Sequence, residues 1–275
     1  MGRLSRPFLS VVAATVALGA LPAPATATWS VIAIDARTGR IVIASATCLA
    51  QATLRRVPSK GLMDVQAVIV PGMGVAAVQA RLDHTRRNQE LIYHELERGT
   101  APDRILDLLR QDSTVDARQF GIVDRNGRVA GFSGSGNGRA SLDRGGRVPG
   151  TDVYYSIQGN LLASGAVVEY AVVAFLAAGG ALEDRVLAAM EAADAAGGDR
   201  RCSCQTSPVS AAPCETRHAQ VAYLLAADPR DPQGTSFNDG RYQLYIDVTD
   251  ENILPSENAN PVVTLRTRYD AIKER

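Results

Sequence analysis

Along this chain the spacing of the apolar residues changes repeatedly, and the order of those changes limits the folds available. "WSVIAID" and "IVIASATC" flank the turn "ARTGR" and read as a strand hairpin. "VQAVIV" and "GVAAVQA" give two more strands around Pro71 to Gly74. The period then lengthens. Leu91, Ile92 and Leu96 share a helical face that Gly99 stops, and "TAPDRILDLLRQD" reads as a second helix with Thr100 as its N-cap. "RQFGIVDRNGRVAGFSG" is a hairpin about Asn126-Gly127. A glycine-rich stretch leads to the strand "DVYYSIQGN". Two alanine-rich helices ended by glycine pairs follow, then the strands "HAQVAYLLAAD" and "YQLYIDV", and a last amphipathic helix starting near Asn260-Pro261. Strands, helices, strands, helices, strands imply two helical layers enclosing sheets, a single α+β domain.

Ahead of this pattern, "MGRLSRPFLSVVAATVALGALPAPATA" carries Arg3 and Arg6, then an uncharged apolar run from Phe8 to Leu21, then small residues and prolines. A run of about 14 residues is too short to span a bilayer core and has the layout of a secretory signal peptide. Ala25-Thr26-Ala27 fits the small-x-small cleavage pattern and would leave Thr28 first; Ala23-Pro24-Ala25 also fits and would leave Thr26. The expected organisation is therefore a signal peptide at 1–27 and one domain at 28–275, secreted or periplasmic, off the membrane after cleavage.

Removing that leader takes away two arginines and leaves 27 basic against 29 acidic residues. Such a balance disfavours nucleic acid as a partner, because phosphate binding needs a basic field. No cofactor is expected. The four cysteines, Cys48, Cys202, Cys204 and Cys214, are read as disulfide-bonded in an exported protein, with Cys214 joined to Cys202 or Cys204 to staple the loop 202–214. Zinc held by Cys202, Cys204, Cys214 and His218 is the weaker alternative, because C-x-C lacks a second C-x-x-C.

No G-x-S-x-G elbow, Walker loop or H-E-x-x-H motif is present. His84, His94 and His218 are scattered, and "GSGNG" follows a hairpin instead of opening a helix. Thr28 is the residue whose chemistry processing would change. An internal threonine hydroxyl has no adjacent base, whereas a first-residue threonine has a free α-amine of pKa about 7.7–8.0 beside it. The plainer account is a β-branched residue opening a strand.

"TWSVIAIDARTGRIVIASATC", "GVAAVQARLD", "QFGIVDRNGRVAGFSG", "YSIQGNLLASGAVV" and "AGGDRR" together resemble the uncharacterised DUF1028 family, which is assigned to the N-terminal nucleophile (Ntn) hydrolase-like superfamily. The resemblance runs in order from Thr28 to about Arg201 and more weakly beyond. It implies a four-layer αββα sandwich, and the first hairpin is also similar to the opening of proteasome β-type subunits. Thr28-Trp29-Ser30 matches the family's Thr-Phe-Ser opening, which implies Thr28 as nucleophile. By the same resemblance Asn160 would help hold an oxyanion, Gln79 and Gln158 would line the pocket, and Asp199 and Arg200 would position the amine or a substrate carboxylate. Two departures stand out: Thr47-Cys48 replaces a common Ser-Arg, and Ala46 occupies the position of the proteasome-like acid. The cysteine-flanked insertion replaces a tighter Arg-Gly-Lys-Gln-Ser run, with Gln205 matching its glutamine, and Lys60 is the nearest lysine in sequence to Thr28.

The implied activity is hydrolysis of C–N amide bonds in a small-molecule or peptide substrate by an N-terminal threonine. The alternative is a non-catalytic ligand-binding or structural protein on the same fold. The sequence leaves open the choice between enzyme and binder, and whether the chain forms a homo-oligomer.

Overall fold

The computed structural model describes residues 28–56, 59–209 and 212–275; the expected leader, with both cleavage points, lies outside the described residues. Among the described residues ten strands form two antiparallel sheets. The larger has the order β10-β9-β2-β1-β8-β7, from β1 (Thr28–Asp35), β2 (Arg40–Thr47), β7 (Leu142–Arg147), β8 (Val153–Asn160), β9 (Val221–Ala227) and β10 (Leu244–Val248). The smaller has the order β3-β4-β5-β6, from β3 (Ala67–Val70), β4 (Gly74–Ala80), β5 (Arg118–Asp124) and β6 (Val129–Ser133). Seven helices accompany them among the described residues: α1 (Gln51–Leu54), α2 (Leu62–Gln66), α3 (Arg87–Glu97), α4 (Pro102–Leu109), α5 (Ala166–Ala177), α6 (Leu182–Ala195) and α7 (Pro261–Lys273). The chain is thus mixed α/β, with two antiparallel sheets and helices.

Side-chain alternation along β1 distributes its residues between two apolar cores. Trp29, Val31 and Ala33 join Phe175, Val186, Leu187, Met190 and Leu265, the core under α5, α6 and α7. Ile32 and Ile34 join Ile41, Ile43, Ile69, Val75 and Val123, where the sheets face each other. A third core lies between the smaller sheet and α3 and α4, around Val68, Ala76, Phe120, Ile92 and Ile105. A strand covered on both faces reads as a nearly continuous apolar run, which accounts for "WSVIAI".

Local signals hold where the chemistry is local. Gly127 takes φ +75° in the β5–β6 turn, and Gly99 takes φ +74° just past α3. Asn260 caps α7, its side chain accepting from Val262 N at 3.0 Å. Thr100 does not cap α4. Ala101 occupies the N-cap, and the Thr100 hydroxyl donates instead to Glu95 Oε2 at 2.6 Å, fastening the end of α3. The glycine-rich stretch before β8 contains a strand of its own, β7, paired with β8 from Leu142↔Gly159 to Arg147↔Tyr154.

Both cysteine pairs form disulfides: Cys204–Cys214 closes the short loop, and Cys48–Cys202 ties the end of β2 to the segment after α6, with Cα–Cα distances of 5.8 and 5.7 Å.

Candidate functional site

Thr28 heads the strand near the middle of the larger sheet. Its register partners are Thr47, the last residue of β2, and Asn160, the last residue of β8, so three polar side chains end adjacent strands at one edge. The Thr28 hydroxyl donates to Thr47 Oγ1 at 3.2 Å. Its carbonyl accepts from Gln79 Nε2, at the end of β4 in the other sheet, at 3.1 Å.

Gln79 links the two sheets. Its Oε1 accepts from Ser30 Oγ and Gln66 Nε2, each at 2.8 Å, and its Nε2 also donates to Gln119 Oε1 at 2.7 Å. Gln66 Oε1 accepts from the Tyr223 hydroxyl at 2.9 Å. Burial raises the Tyr223 pKa well above its ordinary value, so this phenol stays a donor. Gln119 Nε2 reaches Gly159 O at 2.9 Å, beside Asn160. Gln66, Gln79, Gln119 and Gln158 are all buried. Gln66, Gln79 and Gln119 are tolerated between the sheets because they hydrogen-bond one another, and such a network fixes the relative position of the layers.

Among the residues expected from the sequence, Thr28, Gln79 and Asn160 gather at this edge, and Gln158 lies two residues back along β8. Gln158 Nε2 donates to Ala77 O at 3.1 Å; its Oε1 has no partner and presses on Gly121, where a Cβ would meet it at 2.9 Å. Asp199 is fully buried nearby. Its Oδ2 accepts from Cys48 N at 3.1 Å and from Arg201 Nη2 at 2.6 Å, and its Oδ1 accepts from Arg201 N and Nε, each at 3.0 Å. The carboxylate thereby fastens the loop after α6 to the residue following Thr47. Arg200 is exposed, and Arg201 is the arginine that meets Asp199. Lys60 is exposed on the segment between α1 and α2; its amide donates to Asp64, and its carbonyl accepts from Gln51. The cysteines of the zinc alternative are all in disulfides, and among the described residues no group of three or more His, Cys, Asp or Glu could hold a metal.

Apart from Gln66 and Gln79, the residues lining the space beside Thr28 are apolar. Leu54, Leu62, Val65 and Leu82 close over it with Gln79, leaving a cavity of about 10 Å³, room for one water at most. Thr28 is 3% exposed. Gln66, Gln119 and Tyr223 were not expected at the site. The signal that points to the two glutamines is a polar amide interrupting an apolar run, as in "MDVQAVIV" and "RQFGIV".

A polar strand edge with a threonine at its head, backed by a glutamine network joining two antiparallel sheets, defines the kind of protein this is in structural terms. A model of DUF1028, a family of unknown function, matches residues 28–232, and the chain belongs to that family. A crystal structure of protein SPO2555 from Silicibacter pomeroyi, assigned to DUF1028, is similar in fold, with a TM-score of 0.63 at 23% identity over 90% of this chain and 86% of the other. No curated protein matches the chain. Among the described residues no helix is long and apolar enough to cross a membrane.

Proposed function

We propose that the protein is an exported amidohydrolase of the Ntn type, with its three cores lying between the four layers of an αββα sandwich and Thr28 as nucleophile once the peptide bond after Ala27 is cut. The observation that carries this reading is the position of Thr28, central at a polar strand edge between Thr47 and Asn160. The start of the family match at residue 28 supports it. Two disulfides support an oxidising compartment.

In the proposed reaction the freed α-amine takes the Thr28 hydroxyl proton as Oγ1 attacks the amide carbonyl. Backbone donors and the Asn160 amide hold the oxyanion. The proton passes to the leaving nitrogen, the C–N bond breaks, and an ester on Thr28 is left. Water, deprotonated by the same amine, cleaves that ester to a carboxylic acid. Small acyl amides and peptide amides are the substrate class. Leu54 of α1 and Leu62 and Val65 of α2 line the small cavity beside Thr28, so in the proposed reaction these two helices shift to admit substrate.

That same cover favours the second reading, a non-catalytic binding or structural protein that retains the fold: a threonine enclosed by leucines is packed as a core residue. One experiment separates the two. The mature chain recovered from outside the cytoplasm is analysed by intact mass and N-terminal peptide mapping, then treated with an acyl-trapping probe. A start at Thr28 with label on that residue supports the hydrolase. A start at Thr26 or earlier leaves the amine in a peptide bond and supports the binder.

A further inference from the structure

Where β5 begins, successive side chains part to opposite faces of the smaller sheet. Gln119 points between the sheets and joins the network behind Thr28, whereas Arg118 points to the side of α3 and α4. There Arg118, Asp83, Asn88 and Asp112 form the floor of an open cleft of about 530 Å³, within the size range of small-molecule sites. Arg118 is 6% exposed and Asn88 is 7% exposed. Leu91 of α3 and Leu108 of α4 supply an apolar wall.

The hydrogen bonds on this floor leave two atoms uncommitted. Asp83 Oδ1 accepts from Thr85 N and Thr85 Oγ1, and its Oδ2 accepts from Asn88 N. Asp112 Oδ1 accepts from Thr114 N and Thr114 Oγ1. Asp112 Oδ2 accepts from Asn88 Nδ2 at 2.8 Å and from Arg118 Nε at 3.0 Å. Burial opposes the ionisation of Asp112, and the hydrogen bonds from Asn88, Thr114 and Arg118 overcome it, holding the carboxyl well below its ordinary range. Arg118 Nη1 donates to Arg81 O at 2.5 Å. Arg118 Nη2 stands 4.0 Å from Asp83 Oδ1, beyond hydrogen-bond reach. Neither that nitrogen nor Asn88 Oδ1 has a hydrogen-bond partner among the described residues, and neither is sealed from solvent.

A carboxylate only accepts, so the Asn88 amide must turn Nδ2 toward Asp112, and the atom turned away is its carbonyl oxygen. Two buried side chains anchored on one carboxylate oxygen thus present a donor, Arg118 Nη2, and an acceptor, Asn88 Oδ1. That pair is complementary to an amide, whose carbonyl accepts from Nη2 and whose N–H donates to Oδ1. A carboxylate suits the floor less. It has no proton for Asn88 Oδ1, and the negative charges of Asp83 and Asp112 outnumber the single positive charge of Arg118.

We propose that this cleft binds an uncharged amide, a carboxamide or a peptide unit, with an aliphatic group beside it packed on Leu91 and Leu108. Leu82 lines the cavity beside Thr28 and the next residue, Asp83, lines the cleft, so the two spaces adjoin along the chain. Binding in the cleft does not require Thr28 to be a nucleophile.

The isotopically labelled mature chain is titrated with isocaproamide and with N-methylisocaproamide, while nuclear magnetic resonance follows the Asn88 side-chain amide and the Arg118 Nε–H. Saturable shifts at both groups are expected. Tighter binding of the primary amide identifies a carboxamide as the occupant, and tighter binding of the N-methyl amide identifies a peptide unit. Sodium isocaproate and methyl isocaproate lack the N–H, and about tenfold weaker binding or worse is expected for each. A carboxylate or ester bound as tightly as the amides overturns the proposal. So does the lack of saturable shifts, and so do shifts confined to the Gln66 and Gln79 side-chain amides behind Thr28. These comparisons use the parent chain and do not depend on how a variant folds. Arg118→Lys keeps the charge without the fork, and about tenfold weaker amide binding is expected; unchanged affinity in the folded variant overturns the assignment.

Discussion

The Thr28 hydroxyl donates to Thr47 Oγ1 across 3.2 Å, and that same Thr47 oxygen accepts from Leu49 N at 3.3 Å. One hydroxyl thus serves both the head of β1 and the turn that follows β2. Thr47→Val keeps the shape and removes the acceptor. Chemical denaturation is expected to show a loss of about 1–2 kcal/mol, with Thr47→Ser close to the parent. Under the proposed hydrolase, labelling of Thr28 by an acyl probe falls in Thr47→Val and is kept in Thr47→Ser. Equal labelling in both variants would show that Thr47 does not orient the nucleophile.

Gln79 joins Ser30, Gln66, Gln119 and Thr28 through its amide. Its replacement by leucine removes the acceptor of Ser30 and Gln66 and the donor to Thr28 and Gln119 at once. Each buried polar group stranded in this way costs about 1–3 kcal/mol. A loss of about 3 kcal/mol or more in urea unfolding is expected, several times the effect of Ser30→Ala. A loss below 1 kcal/mol would mean that the amides re-pair among themselves.

How much of this arrangement can be read in the chain depends on the sequence distance between partners. The hairpins, the stop at Gly99 and the Asn260 cap follow from neighbouring residues. Thr28 and Asn160 are distant in sequence, and a shared site for them is implied only by the family resemblance. The glutamine network does not follow from neighbouring residues either. Gln79 meets partners 13, 40, 49 and 51 residues away in sequence, and no local period records a contact across two sheets. Strand β7 escaped notice because "LDRGGR" has no alternation. Its glycines answer to distant side chains: a Cβ on Gly145 would meet Val129 Cγ1 at 2.5 Å, and one on Gly146 would meet the Tyr155 hydroxyl at 3.0 Å. Asp199 meets Arg201 while Arg200 is exposed, beyond a turn through Gly197 and Gly198 at φ +100° and +40° that composition does not specify.

The two disulfides should differ in their contribution. Cys48–Cys202 closes a sequence separation of 154, Cys204–Cys214 one of 10. In the chain-entropy account the first is worth roughly 5 kcal/mol and the second roughly 3 kcal/mol. Paired Cys→Ala variants, unfolded in urea, are expected to keep that order. Loss of Cys48–Cys202 also frees the segment that Asp199 holds against the backbone amide at position 48, so exchange of that amide should quicken in that variant and not in the other. The reverse order of stability would mean that the long-range bond contributes little beyond what the Asp199 anchor already provides.

The last prediction concerns pH. His218 Nδ1 lies 3.3 Å from Asp194 Oδ1, and Asn260 Nδ2 donates to Asp194 Oδ2 at 2.7 Å, so one carboxylate joins the end of α6, the start of α7 and the entry to β9. The hydrogen bond to Asp194 raises the His218 pKa above its ordinary value, and partial burial opposes the shift. A histidine pKa raised by folding means that the native state binds the proton more tightly than the unfolded chain. The resulting stabilisation is full below the unfolded value of about 6.5 and disappears as pH rises through the folded value. Unfolding free energies for the parent and His218→Gln, measured from pH 5 to pH 9, are expected to differ most at the acid end and to converge in the alkaline range. His218→Gln removes the titrating group and leaves the Asp194–Asn260 bond in place, so the difference between the curves reports the histidine alone. A gap that widens toward alkaline pH would mean that neutral His218 is the form the fold prefers, and the Asp194 contact would then be one of packing.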